Sequence, residues 1–137
     1  MDGGANTSMH VTKEHHEDRS EPDDRGMYDW SYVYDVYTFS DGELDLKFRR
    51  YSDDAATAAL VSPMGCDQLV GCQALLGAAI EHLRETEGIA SVQAYDPGRG
   101  AFSPFGNAVR SAAASGKLSQ VDADCLVDVV DRSRDAV

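Results

Sequence analysis

Tyr28-Asp29-Trp30-Ser31-Tyr32-Val33-Tyr34-Asp35-Val36-Tyr37-Thr38-Phe39 is the stretch on which the fold turns. Nine of its twelve residues are aromatic or β-branched, a composition that fits a pleated, half-buried surface rather than a helix. Tyr28, Trp30, Tyr32, Tyr34 and Val36 share one parity, and Asp29, Ser31, Val33 and Asp35 share the other, which predicts a strand with one covered face. Ser40-Asp41-Gly42 supplies turn chemistry, since Asp bonds its own backbone and Gly takes positive φ. Glu43 to Tyr51 alternates again, with Leu44, Leu46 and Phe48 inward against Glu43, Asp45, Lys47 and Arg49. Together the two runs predict a β-hairpin.

Downstream, Leu60-Val61-Ser62-Pro63 reads as the end of a third strand stopped by proline, although Asp54 could cap a short helix over 55–62 instead. From Asp67 to Glu87 the period changes. Leu69, Val70, Leu75, Leu76, Ala79, Ile80 and Leu83 recur at three and four, with Asp67 placed as N-cap and Gly88 at C′. This helix is apolar around most of its middle, so it is expected to be central, and Gly71, Ala74 and Ala78 form a strip that permits close approach. Ile89–Tyr95 reads as a strand, Asp96-Pro97-Gly98-Arg99-Gly100 as a turn and Ala101-Phe102-Ser103 as a short return strand. Ser103-Pro104 opens a helix to Ala114, and Ser119 begins a last one. That last helix carries an apolar stripe (Val121, Cys125, Leu126, Val129, Val130) and an acidic one (Asp124, Asp128, Asp131, Asp135). The expected fold is α+β: an antiparallel sheet of four or five strands with an N-terminal hairpin, packed on one long central helix, with two C-terminal helices at the edge.

Upstream of Tyr28 the character differs. Residues 1–27 hold His10, His15 and His16, seven acidic and three basic residues, and apolar residues with no period. Such a segment buries too little to offset its ordering entropy, so 1–27 is expected to be a disordered acidic tail and 28–137 the single α+β domain. Met9 and Met27 are each read as an alternative start.

The whole chain of 137 residues carries 24 acidic against 12 basic side chains, a formal charge of −12. That balance excludes a nucleic-acid binder that blankets phosphates with Lys and Arg. Three cysteines, with no CxxC pair and no signal-like N-terminus, point to the cytoplasm and against structural zinc. Cys66 precedes a predicted helix N-terminus, where a thiol pKa falls, but His82 lies about 24 Å further along that helix and cannot serve as its base. The run His10, His15, His16, Glu17 fits no zinc pattern. No cofactor is implied.

Two features suggest binding instead. Trp30, Tyr32, Tyr34 and Tyr37 concentrate residues that interfaces favour, and the Asp124/Asp128/Asp131/Asp135 stripe would steer a basic protein. The expectation is a small acidic protein-binding module without catalytic activity, an inhibitor or immunity-type antagonist of a basic, nucleic-acid-binding partner. A homodimeric chaperone or adaptor, joined by the small-residue strip or an open sheet edge, is the alternative; an enzyme using Cys66 or a carboxylate site is the third.

Overall fold

A computed structural model describes residues 9–63 and 65–135, with the backbone alone described at 132–135. The strands are β1 (His10–Arg19), β2 (Ser31–Ser40), β3 (Asp45–Tyr51), β4 (Thr57–Ser62), β5 (Ser91–Asp96) and β6 (Ala101–Pro104). The helices are α1 (Gln73–Glu87), α2 (Phe105–Ala114) and α3 (Gln120–Asp135). The six strands form one mixed sheet in the order β1-β2-β3-β4-β5-β6. The fold is therefore α+β, as the pattern predicts, but with six strands rather than four or five and with three further departures in detail.

First, residues 10–19 are not a tail. They pair with β2 without interruption from His10↔Ser40 to Arg19↔Ser31. The turn beyond them is built by Asp23, whose Oδ1 accepts from the N–H groups of Arg25 and Met27 while Gly26 takes φ 79°. Ser20 N–H donates to Trp30 O, and Pro22 bridges Tyr28, so β1 and β2 continue as one long hairpin arm. The first eight residues of the expected tail lie outside the described residues.

Second, β4 and β5 are parallel, from Thr57↔Ser91 to Leu60↔Ala94, whereas an all-antiparallel sheet was expected. Two parallel neighbours need a crossover of a dozen or more residues, and α1 supplies it. Third, α1 begins at Gln73 rather than Asp67, because Cys66–Cys72 is wound as a 3-10 segment whose N-cap position, Gly65, makes no side-chain cap bond. At its other end Gly88 takes φ 72° and donates to Leu83 O, the C′ role read from the sequence.

The β2–β3 hairpin forms where expected, with Ser40↔Asp45 closing the turn and Asp41 Oδ1 accepting from the N–H groups of Glu43 and Leu44. Thr57–Ser62 is a strand, not a helix. Tyr37, Phe39, Leu46, Phe48 and Leu60 on one sheet face join Leu76, Ile80, Leu83, Val109 and Leu126 from the helices in one core. Phe39 meets the His82 ring of α1 edge-on at 5.4 Å, and Asp96 at the end of β5 bonds α2 through Ser111. With α3 packed on α1 and α2, the helices form one layer. The other sheet face, on which Tyr32, Tyr34, Lys47, Arg49 and Tyr51 stand, has no helix over it among the described residues.

Candidate interaction surfaces

The parity of β2 sorts the aromatic run into two populations. Tyr37 and Phe39 point toward α1; Tyr34 and Tyr32 point away from it. Tyr37 is 1% exposed, its hydroxyl donating to Glu87 Oε1 at 3.0 Å, and burial pushes its pKa up to about 12, with Glu87 adding to the effect. It belongs to the core and not to a binding surface. The expectation that Trp30, Tyr32, Tyr34 and Tyr37 act together therefore separates into a core member and an outer set.

On the outer face the rings form a continuous row. Trp30 lies 5.8 Å from Tyr32, Tyr32 6.2 Å from Tyr51, and Tyr51 5.5 Å from Tyr34, whose other neighbour is the stacked His16 ring at 5.2 Å. Tyr34 is buried under these neighbours and donates its hydroxyl to Asp18 Oδ2, which raises its pKa. Arg49 lies 4.2 Å over the Tyr34 ring and donates to Tyr51 Oη, while its Nε is buried without a hydrogen-bond partner. The guanidinium thus fills the inner end of the row. The outer end is open: Met27, Tyr28, Trp30 and Tyr32 are 63%, 45%, 47% and 53% exposed. Only Phe102 and Val121 among the described residues are comparably exposed large apolar side chains. Four of six such residues thus fall within one six-residue segment of the hairpin arm.

The acidic stripe is a separate surface. Asp124, Asp128 and Asp131 line a groove of about 210 Å³ between α2 and α3, with Arg110, Ala123 and Val127 completing its walls. Gln120 Nε2 donates to Asp124 Oδ1 at 2.9 Å. The Asp135 side chain lies outside the described residues. Because α3 sits in the helix layer and the ring row on the opposite sheet face, the aromatic and acidic residues proposed as contacts do not form one surface.

A third cluster escaped sequence reasoning. Beyond the C-terminal end of α1, Glu87 Oε1 gathers Lys13 Nζ at 3.3 Å, Tyr37 Oη at 3.0 Å and Arg50 Nη2 at 3.5 Å. Arg50 Nη1 also donates to the Glu87 carbonyl at 2.9 Å, where a cation complements the helix dipole. His15 Nδ1 meets Asp35 Oδ1 at 2.8 Å and its Nε2 meets Glu17 Oε2 at 3.1 Å, contacts that raise the His15 pKa and lower that of Asp35. These residues come from β1, β2, β3 and α1, so only the strand pairing brings them together. Their one sequence signal is the parity of Lys13, His15 and Glu17 within a run that reads as polar and unstructured.

That same parity places His15 and His16 on opposite sheet faces, so the adjacent histidines cannot share a metal. Among the described residues no group of three or more His, Cys, Asp or Glu side chains is placed to hold one. Cys66 is 3% exposed beside a cavity of about 200 Å³ lined also by Gly65, Tyr95, Pro97, Ala112 and Lys117. Burial first, then Asp67 and Asp96, pushes the thiol up to about 11, the reverse of what a helix N-terminus would do. A protonated thiol is a poor nucleophile, so neither burial nor charge around Cys66 favours the thiolate. The Gly71/Ala74/Ala78 strip stays on the exposed side of its segment, while Gly77 is the residue that α3 approaches, through Val129. No helix of the described residues is long and apolar enough to cross a membrane. Comparison with protein-family models, curated proteins and solved structures gives no match to this chain.

Proposed function

We propose that this chain is a protein-binding module, an antagonist of the inhibitor or immunity type directed at a basic protein, with the hairpin arm Met27–Tyr32 as its contact. The carrying observation is the crowding of four exposed large apolar side chains into that segment. Isolated exposed apolar residues are ordinary; a contiguous set rimmed by polar groups is the usual mark of an interface. Asp23, Asp24 and Asp29 rim this set, and the chain carries −12 overall, so complementarity favours a partner rich in Arg and Lys. Trp30 and Tyr32 present ring faces on which such cations stack, each contact contributing roughly 0.5–2 kcal/mol. The groove of Asp124, Asp128 and Asp131 on the far side raises the encounter rate through its field rather than by contact. A nuclease or another nucleic-acid-binding protein, whose phosphate site is already basic, is the partner class that this chemistry suits best.

Trp30 is the only tryptophan, so its fluorescence reports on the arm directly. Partners captured from the source cell on wild-type protein are compared with those captured on Trp30→Ala/Tyr32→Ala. The expected result is one basic protein that shifts Trp30 emission on binding and is lost with the double variant. A partner held equally well by the double variant removes the arm from the interface. Retention unchanged at about 1 M salt, where the screening length is ~3 Å, contradicts the electrostatic part.

A further inference from the structure

Among the described residues, the outer edge of β1 is the longest stretch of backbone in the sheet without a strand beside it. β1 is the first strand in the sheet order and has ten residues, while the other edge strand, β6, has four. Short edges, prolines, bulges and charged side chains are the devices that blunt an edge, and of these β1 carries only the charges, which admit a partner strand of matching charge order. β1 has no proline, and its register with β2 runs without a shift. Ser20 N–H donates to Trp30 O, which fixes the even-numbered residues of β1 as those bonded to β2. Val11, Lys13, His15, Glu17 and Arg19 accordingly direct their N–H and C=O groups outward.

We infer that this edge pairs with its own counterpart in a second copy of the chain, antiparallel and centred on His15, making a continuous twelve-stranded sheet about a two-fold axis. The charge order of His10-Val11-Thr12-Lys13-Glu14-His15-His16-Glu17-Asp18-Arg19 selects that register. Four symmetric registers overlap at least seven residues while keeping like faces together. Centred on Lys13, the axis brings Lys13 against Lys13; centred on Glu14, it brings Glu14 against Glu14. Centring on His16 sets Lys13 against Arg19 and Glu14 against Asp18. Only the register centred on His15 opposes no like-charged pair of Lys, Arg, Asp or Glu. There Lys13 faces Glu17 and Glu14 faces His16, each twice by symmetry, with Val11 facing Arg19 and Thr12 facing Asp18. The two His15 rings meet on the axis, each already held by Asp35 and Glu17 of its own chain. Cross-strand pairs of opposite charge stabilise a sheet, and like charges directly opposite destabilise it, so sequence and symmetry together specify a second copy rather than an arbitrary strand.

This pairing is independent of the Met27–Tyr32 contact, and its test does not involve a partner. Light scattering over a concentration series of the full-length chain is expected to give a mass that rises to twice the monomer. Lys13→Glu and Glu17→Lys each create two like-charge pairs, so each alone weakens association by roughly tenfold or more. The double variant Lys13→Glu/Glu17→Lys restores opposite charges and is expected to return to near the wild-type association. Circular dichroism on each variant checks that the monomer keeps its sheet. A wild-type mass that stays monomeric to the solubility limit overturns the inference. Dimers that both single variants leave unchanged, or a double variant no tighter than the singles, overturn the register and with it the assigned edge.

Discussion

Asp96 shows how much a single buried carboxylate can organise. It is 2% exposed at the end of β5, and it accepts from Ser103 Oγ at 2.9 Å and from Gly98 N–H at 2.9 Å. Hydrogen bonds from Ser111 first, then from Ser103, Gly98 and Arg99, outweigh its burial and hold its pKa below the ordinary value. One side chain thereby ties the β5–β6 turn to α2. In Asp96→Ala the Ser103 hydroxyl and the Gly98 N–H lose their acceptor inside the protein, which costs about 1–3 kcal/mol in urea unfolding. The pH dependence has a definite sign. A carboxylate with a lowered folded pKa stabilises the chain above its unfolded pKa of about 3.9, and that contribution disappears as pH falls through the folded value. Wild-type stability should therefore fall more steeply below about pH 4 than that of Asp96→Asn. Parallel profiles would show that the carboxylate charge does not matter to the turn.

At the scale of elements, the strand that composition hides is β1. Hydrophobic periodicity finds strands that cover a core, and β1 covers almost none: Val11 alone packs against the core cluster, and the rest of the strand is polar. What holds β1 is pairing to β2 and the reach of Lys13 and His15 to Glu87 and Asp35, long-range contacts that no local window contains. Its one local signal lay beyond its end, in the Asp23-Asp24-Arg25-Gly26 turn. The parallel β4–β5 pair departs from the expected antiparallel sheet even though strand, long helix and strand in succession carry the signal of a βαβ unit, because the aromatic hairpin upstream set the expectation for the whole sheet. The β2–β3 hairpin and the facing of its side chains were readable, because Leu46 and Phe48 could face only one way, but the pairing Ser40↔Asp45 carries the turn two residues further along than a Ser40-Asp41-Gly42 turn would. An edge strand bonded on one side has alternating amide protection, and this offers a direct check on β1. In the dissociated chain, the amides of Thr12, Glu14, His16 and Asp18 should exchange more slowly than those of Val11, Lys13, His15 and Glu17. Uniform fast exchange from 10 to 19 would return this segment to the unstructured state that its composition suggests.

For the molecule as a whole, the charge of −12 is spread over separate surfaces of the sheet and the helix layer. Of the aromatic run only the outer end is exposed, since Tyr37 entered the core and Tyr34 went under Arg49 and His16. Sequence parity distinguishes the two sides of a strand but not which side a helix will cover, and that choice decided their fate. The acidic stripe was legible because helical spacing alone sets it. Two opposing electrostatic effects then act on stability. The ion pairs of β1 (Lys13–Glu87, His15–Asp35 and Glu17–Arg19) favour the fold, yet pairs this exposed contribute about 0–1 kcal/mol each. Against them stands the mutual repulsion of an excess of twelve negative charges held in a compact volume, which is longer-ranged and shared by every acidic group. Raising the salt from about 0.01 M to 1 M shortens the screening length from ~30 Å to ~3 Å, so it removes the diffuse repulsion while touching close pairs less. The melting temperature should therefore rise with sodium chloride at neutral pH, measured by scanning calorimetry at a concentration where one oligomeric species is present. A melting temperature that falls with salt would mean that the short-range pairs at β1 outweigh the net charge, and that the hairpin arm depends on them far more than surface ion pairs ordinarily allow.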